Sequence, residues 1–400
     1  MKIAWFCIPA HGHTNPTLSL VKEMTGAGHE VTYFSFEEFR EKIEKAGAEF
    51  VACDSCDFEM EDKENAERVG KDMAFATELL VKATLALDGM VARKVEELKP
   101  DLIVSDSVAY WGRLTAIKYG IPYVSSTTTF AFNQYSSRYM KHGGLELLKM
   151  LLAMPKIRRQ IKKLQNKGYP VKGILDIVRN DNETNTIVYT SKEFQPCADS
   201  FSDRYCFVGP SIRRAEEEIK KTAQKLIYVS MGTVIKEKEI YRNCVAAFRN
   251  TGYQVIISLG ASENEDLELS ENIQVYRSVD QMAVLSKADV FLTHCGMNSA
   301  SEALYYEVPL ICFPQTPEQG AVAKRVEELG AGIRLVAGGK EELLEAVEKI
   351  LADSQYKEAA EKISKGFKRC GGAREAREFL EKLCTKNWRE RENWRNERSL

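Results

Sequence analysis

Short runs of apolar, β-branched and aromatic residues alternate with charged stretches of helical composition along this chain, and the pattern runs twice. In the first half the runs fall at residues 3–8, 31–36, 102–105, 122–126 and 186–190. In the second they fall at 226–230, 254–259, 290–293, 310–313 and 332–336. Near-continuous apolar runs separated by helices are the pattern of parallel strands covered on both faces. The expected class is therefore α/β, with two doubly wound, Rossmann-like units. The length of 400 residues also exceeds what one hydrophobic core usually serves.

Between the two sets lies Gly209-Pro210-Ser211, followed by the charged segment Arg213-Arg214-Ala215-Glu216-Glu217-Glu218. It has no strand pattern, so a linker is expected at 209–224, between units at 1–208 and 225–385. Residues 386–400 mix Arg and Glu with Trp388 and Trp394 and read as a terminal helix packing back on the body.

Charge and cysteine usage exclude several function classes. A formal net charge of -2 argues against a nucleic-acid binder that neutralises many phosphates. No stretch reaches the roughly eighteen apolar residues of a membrane span. Ten cysteines scattered through a long chain fit reduced thiols in the cytoplasm. Cys53 and Cys56 form a lone C-x-x-C without the second pair of a tetrahedral metal site, so they read as unpaired thiols. Residues 147–175 contain no acid but carry Lys149, Lys156, Arg158, Arg159, Lys162, Lys163, Lys167 and Lys172 among leucines and isoleucines. Such a basic amphipathic stretch is either a solvated face or a dock for an anionic membrane.

The richest segment is Val290-Phe291-Leu292-Thr293-His294-Cys295-Gly296-Met297-Asn298-Ser299-Ala300-Ser301-Glu302. A strand ends at Thr293, a turn with one glycine follows, and a helix is expected to open at Ser299. Such a turn aims unpaired backbone N–H groups and a helix dipole at one point, where a diphosphate fits. Ser299 to Glu302 equally matches a capping box that only completes the helix start. On these residues alone both readings stand, and His294, a donor beside the helix end, favours the first.

Continued by Ala303-Leu304-Tyr305-Tyr306-Glu307-Val308-Pro309 and Pro314-Gln315-Thr316-Pro317-Glu318-Gln319, this segment resembles the donor-binding signature of family 1 glycosyltransferases. That family includes bacterial macrolide and flavonoid glycosyltransferases. The resemblance extends to Gly12-His13-Thr14-Asn15-Pro16, Ser230-Met231-Gly232-Thr233 and Val326-Glu327-Glu328-Leu329-Gly330-Ala331-Gly332, in order over nearly the whole chain. It implies a GT-B fold, two Rossmann-like domains facing an interdomain cleft, with no cofactor beyond a nucleotide sugar co-substrate. The implied reaction inverts the anomeric carbon, carrying a hexose, glucose above all, from UDP to a hydroxyl of a small apolar acceptor without a metal.

The resemblance also assigns roles. His294, Gly296, Asn298, Ser299 and Thr233 are implied to hold the diphosphate, and Glu302 the ribose. Glu318 and Gln319 are implied to bind the sugar; without the motif they read as a polar turn. Family members carry Trp-x-Pro-Gln where this chain has Ser278-Val279-Asp280-Gln281. Gln281 is kept, Val279 offers its backbone to a base edge, and the stacking aromatic is absent. His13 is implied as catalytic base, with His11 as its competitor, and Asp106 as the carboxylate that orients it. Phe130, Phe132 and Tyr135 suit an acceptor floor, although the same rings fit a core. Two other readings stay open: a peripheral membrane enzyme glycosylating a lipid, and a non-catalytic partner of the same fold.

Overall fold

The computed structural model describes residues 1–54, 73–139, 144–173, 176, 183–232, 238–260 and 267–397. Two parallel sheets organise it. The first comprises β1 (Lys2–Phe6), β2 (Glu30–Ser35), β3 (Glu49–Ala52), β4 (Leu102–Asp106), β5 (Tyr123–Thr127), β6 (Thr186–Val188) and β7 (Tyr205–Phe207), in the order β3-β2-β1-β4-β5-β6-β7. The second comprises β8 (Leu226–Ser230), β9 (Gln254–Ser258), β10 (Ile273–Tyr276), β11 (Val290–Thr293), β12 (Leu310–Cys312) and β13 (Gly332–Arg334), in the order β10-β9-β8-β11-β12-β13.

Each sheet is covered on both faces, as the unbroken apolar runs require. In the first, Trp5, Tyr33 and Val104 pack on one side with Leu20 and Met24, while Phe6, Phe34 and Ile103 pack on the other with Leu87 and Trp111. Every residue of β4, β8, β9 and β11 is buried.

Three strands that the sequence reading does not include, β3, β7 and β10, are all edge strands. An edge strand has one paired side and a partly exposed face, so its sequence need not be apolar throughout. β10, Ile273-Gln274-Val275-Tyr276, alternates buried and exposed positions accordingly.

The chain crosses between the sheets twice. Residues 209–224 contain neither helix nor strand, and the return follows the helix Ser354–Arg369. The crossings touch, with Gly372 N–H donating to the Val208 carbonyl at 3.0 Å. The helix Gly372–Glu397 then lies on the first unit, not starting at 386. Its Ala376 and Leu380 are fully buried with Leu20, Val21 and Met24, and Arg377 reaches Glu23 at 3.0 Å. The side chains of Trp388 and Trp394 lie outside the described residues.

Candidate active site

In an open parallel sheet, ligands bind beyond the carboxyl ends of the strands where the strand order reverses. That point lies between β1 and β4 in the first sheet and between β8 and β11 in the second. His13 follows β1 and Asp106 ends β4; Gly232 follows β8 and His294 follows β11. Topology thus places each of these pairs on neighbouring strand ends.

At the first point, His13 Nδ1 lies 2.7 Å from Asp106 Oδ2. The other carboxylate oxygen accepts the Val108 N–H at 2.9 Å, which fixes the carboxyl group. Asp106 is 1% exposed, and it is not the cap of the helix Tyr110–Tyr119, whose N-cap is Ala109. Thr128, after the adjacent strand β5, places Oγ1 3.2 Å from the same ring nitrogen. Donation of Nδ1–H to the carboxylate leaves Nε2 free to accept a proton. Burial alone would lower the imidazole's pKa, but the charge and hydrogen bond of Asp106, with the charge of Glu318, raise it above its ordinary value. His11 turns away, pairing with exposed Glu38 at 2.9 Å and meeting the Phe39 ring edge-on.

At the second point the chain bends from strand to helix through Cys295, which takes a left-handed backbone with φ of 63°. The His294 imidazole sits between two glycines. A Cβ on Gly232, itself at φ +78°, would lie 2.7 Å from its ring, and one on Gly296 would lie 2.6 Å from it. Only glycine leaves room for the ring there. Burial lowers the His294 pKa to about 4, against a hydrogen bond to the Ser230 carbonyl, so the ring is neutral at pH 7.

The helix opens at Met297, with Gly296 as an N-cap that has no side-chain bond, rather than at Ser299. Its first helical hydrogen bond runs from Ala300 N–H to the Gly296 carbonyl at 3.0 Å. The amides before Ala300 have no acceptor within the helix, and they carry the positive end of its dipole. The capping-box reading of Ser299 and Glu302 is therefore overturned, because the helix starts two residues earlier. Glu302 instead accepts from Gln281 Nε2 at 2.5 Å, while Gln281 Oε1 accepts from the Tyr228 hydroxyl at 3.1 Å. Burial pushes the Glu302 carboxyl up to about 7, with the Gln281 bond opposing.

Asp280, where the resemblance expects proline, has a separate task. It caps the helix Gln281–Leu285 and accepts from Arg213 at 2.6 Å and from the Glu216 and Glu217 amides at 2.6 and 3.1 Å. Burial would raise its carboxyl, but these donors hold it at about 2. Asp280→Ala removes a cap and a buried charge-assisted bond, so a loss of about 1–3 kcal/mol in urea unfolding is expected. Because the folded-state pKa is depressed, this contribution is complete above the ordinary aspartate value. It disappears as pH falls toward 2, so wild type and variant should converge in acid.

The remaining residues divide. Asn298 Nδ2 donates to the Gly12 carbonyl at 3.2 Å, directly joining the second site to the short helix His11–Thr14 that carries His13. Glu318, half-buried at the start of the helix Pro317–Glu328, faces the His13–Asp106 pair electrostatically, its carboxyl raised by burial with His13 opposing. Gln319 lies in the first turn of the same helix rather than in a polar turn, and it spends its carbonyl oxygen on the Gln315 N–H at 2.8 Å, leaving its NH2 group. Val279 packs against the core of the second unit, and Ser278 is exposed. Thr233 lies outside the described residues. Phe130 needs correction as a pocket floor: it is 2% exposed, its ring 5.3 Å from that of Phe194, which meets Phe367 edge-on. Phe132 packs on the same cluster, while Tyr135 is 56% exposed. Thr128 was missed because a lone threonine after a strand carries no motif; only sheet order brings it to His13.

With this geometry in place, comparison with known proteins is informative. The family described as "UDP-glucoronosyl and UDP-glucosyl transferase" matches residues 193–369. The chain is 35% identical over 401 residues to the NDP-glycosyltransferase YjiC of Bacillus subtilis, covering 96% of this chain and 98% of that protein. It is 28% identical to the oleandomycin glycosyltransferase of Streptomyces antibioticus, over 95% of this chain and 90% of that one. The crystal structure of the kitacinnamycin glycotransferase superposes with a TM-score of 0.82 at 26% identity, covering 96% and 98% of the two chains.

Proposed function

Because this chain belongs to the UDP-glucuronosyl and UDP-glucosyl transferase family, as an NDP-sugar glycosyltransferase acting on small-molecule acceptors, we propose that it moves a hexose, glucose above all, from UDP to a hydroxyl of an apolar acceptor with inversion. The observation that carries this reading is the pairing of His13 with Asp106 at 2.7 Å, joined through Gly12 and Asn298 to an uncapped helix end.

His13 Nε2 takes the proton of the acceptor hydroxyl while the oxygen forms a bond to the anomeric carbon. The bond from that carbon to the diphosphate breaks on the opposite face, and its electron pair leaves with the diphosphate. Asp106 holds the ring in the required tautomer and stabilises the imidazolium. The charge gathering on the diphosphate is met by the amides preceding Ala300, by the helix dipole, and by His294, Asn298, Ser299 and Thr233. Glu302 accepts from the ribose and Glu318 and Gln319 from and to the sugar hydroxyls, with Val279 and Gln281 beside the base. In this arrangement residues up to 208 hold the acceptor and residues from 225 to 385 the donor, with 209–224 as linker. We place the enzyme in the cytoplasm, where the free cysteines among the described residues remain reduced.

Because a helix end supplies a positive field and the neutral His294 ring an N–H donor, no metal is required. Turnover of a simple phenol against a panel of nucleotide sugars, with and without chelator, tests both points. UDP-glucose is expected to lead the panel, with unchanged rate in chelator. Transfer from none of the donors would overturn the enzymatic reading, and total loss in chelator would overturn metal independence.

A further inference from the structure

The basic stretch noted in the sequence forms the helix Gly144–Asn166, and its role is not absorbed by the site. One face is core: Ile157, Ile161 and Leu164 are buried with Val81, Leu114, Tyr169 and Val171. The opposite face divides along its length. In its first half Leu148, Leu151 and Leu152 are 52%, 61% and 74% exposed. At about 100° per residue these leucines and exposed Pro155 form one outward stripe. In the second half the same stripe continues as exposed Arg159, Lys162 and Lys163, with exposed Arg158 beside it. Lys156 and Lys167 pair with Glu78 and Asp88, at 2.7 and 3.4 Å. Arg158, Arg159, Lys162 and Lys163 have no acidic partner among the described residues.

We propose that this outward face docks the protein on an anionic lipid bilayer, the leucines entering the interface and the four cations lying among the headgroups. Exposed leucines in one stripe are unfavourable in water and mark a contact. Aliphatic residues with adjoining Lys and Arg match the boundary between acyl chains and negative headgroups. A second copy of the chain is a poor occupant, because two such faces would bring like charges together. No helix among the described residues is long and apolar enough to cross a membrane, so the contact is peripheral.

The test is co-sedimentation of the full chain with vesicles of phosphatidylcholine alone or mixed with phosphatidylglycerol, a readout independent of sugar transfer. Binding is expected to the mixed vesicles only, and to weaken with salt. Each surface cation contributes about fivefold, so replacing Arg159 and Lys162 with Ser should weaken binding more than tenfold. Leu151→Ser with Leu152→Ser should weaken it by at least tenfold, judged by the apolar area lost. Both variants should keep wild-type kcat/KM for a soluble phenol, which shows that they remain folded. Equal binding by wild type and variants, binding to neither vesicle, or equal binding to both vesicles overturns the proposal. So does a rise in phenol KM without loss of vesicle binding, which would assign the face to the acceptor.

Discussion

His13→Ala is expected to lower kcat/KM for sugar transfer by about two to four orders of magnitude, the usual worth of a positioned general base. The donor should still bind, because the proposed contact of His13 is with the acceptor hydroxyl, so the KM for the nucleotide sugar should change little. The pH profile gives an independent readout. A base works only when neutral, and Asp106 and Glu318 raise this imidazole against the lowering effect of burial. The rate should therefore fall on the acid side, with a midpoint above the ordinary histidine value. Asp106→Asn removes the carboxylate 2.7 Å away and should shift that midpoint to lower pH, besides reducing the rate. Near-normal transfer by His13→Ala would reject the assignment. An acid limb that Asp106→Asn leaves in place would show that another group titrates. Neither His11, paired with Glu38 on the surface, nor its removal should move the profile.

His294→Ala should reduce kcat by about a hundred- to a thousandfold, the effect of removing one donor aimed at developing charge. Here the ring's burial matters. Held at about 4, the imidazole is neutral in the free protein at pH 7 and acts as a hydrogen-bond donor. An anionic diphosphate beside it favours the protonated form, so bound UDP should raise its pKa. A titration followed by ring-proton NMR should find a midpoint near 4 without UDP and a higher one with it. An unchanged midpoint would remove His294 from the diphosphate site. The neighbouring glycines set a limit on repair by larger residues. A side chain at Gly232 or Gly296 would enter the space the imidazole occupies.

Much of this architecture is legible in the sequence because buried parallel strands must be apolar on both faces. Runs such as Leu226–Ser230 and Val290–Thr293 are found at their observed positions for that reason. Three of the edges escape the same reading: Glu49–Ala52 and Ile273–Tyr276 are short and partly exposed, and Tyr205–Phe207, although apolar, is only three residues long. The local chemistry is harder to read. Ser299-Ala300-Ser301-Glu302 has the letters of a capping box, yet the helix begins at Met297 because Gly296 and Cys295 complete the turn. Gln281 claims Glu302 from a helix elsewhere in the chain, which no local pattern reports. Phe130 has the composition of a pocket lining, and only the packing of Phe194 and Phe367 places it in a core. Asp280 stands where proline is expected, and its partners, Arg213 and the amides of Glu216 and Glu217, lie in the irregular segment 209–224.

The two chain crossings, laid side by side at Val208 and Gly372, act as a spine. Two adjacent tethers permit rotation about the line through them but resist sliding of one lobe across the other. Any opening between the lobes is therefore governed chiefly by one angle, and under the proposed mechanism that angle sets how far the imidazole of His13 stands from the sugar's reacting carbon. The final helix, seated on Leu18–Gly26, ties the far end of the polypeptide to its beginning. Severing the chain within 209–224 should leave two fragments still joined by this clasp, so a nicked enzyme would hold together as a pair of interlocked pieces.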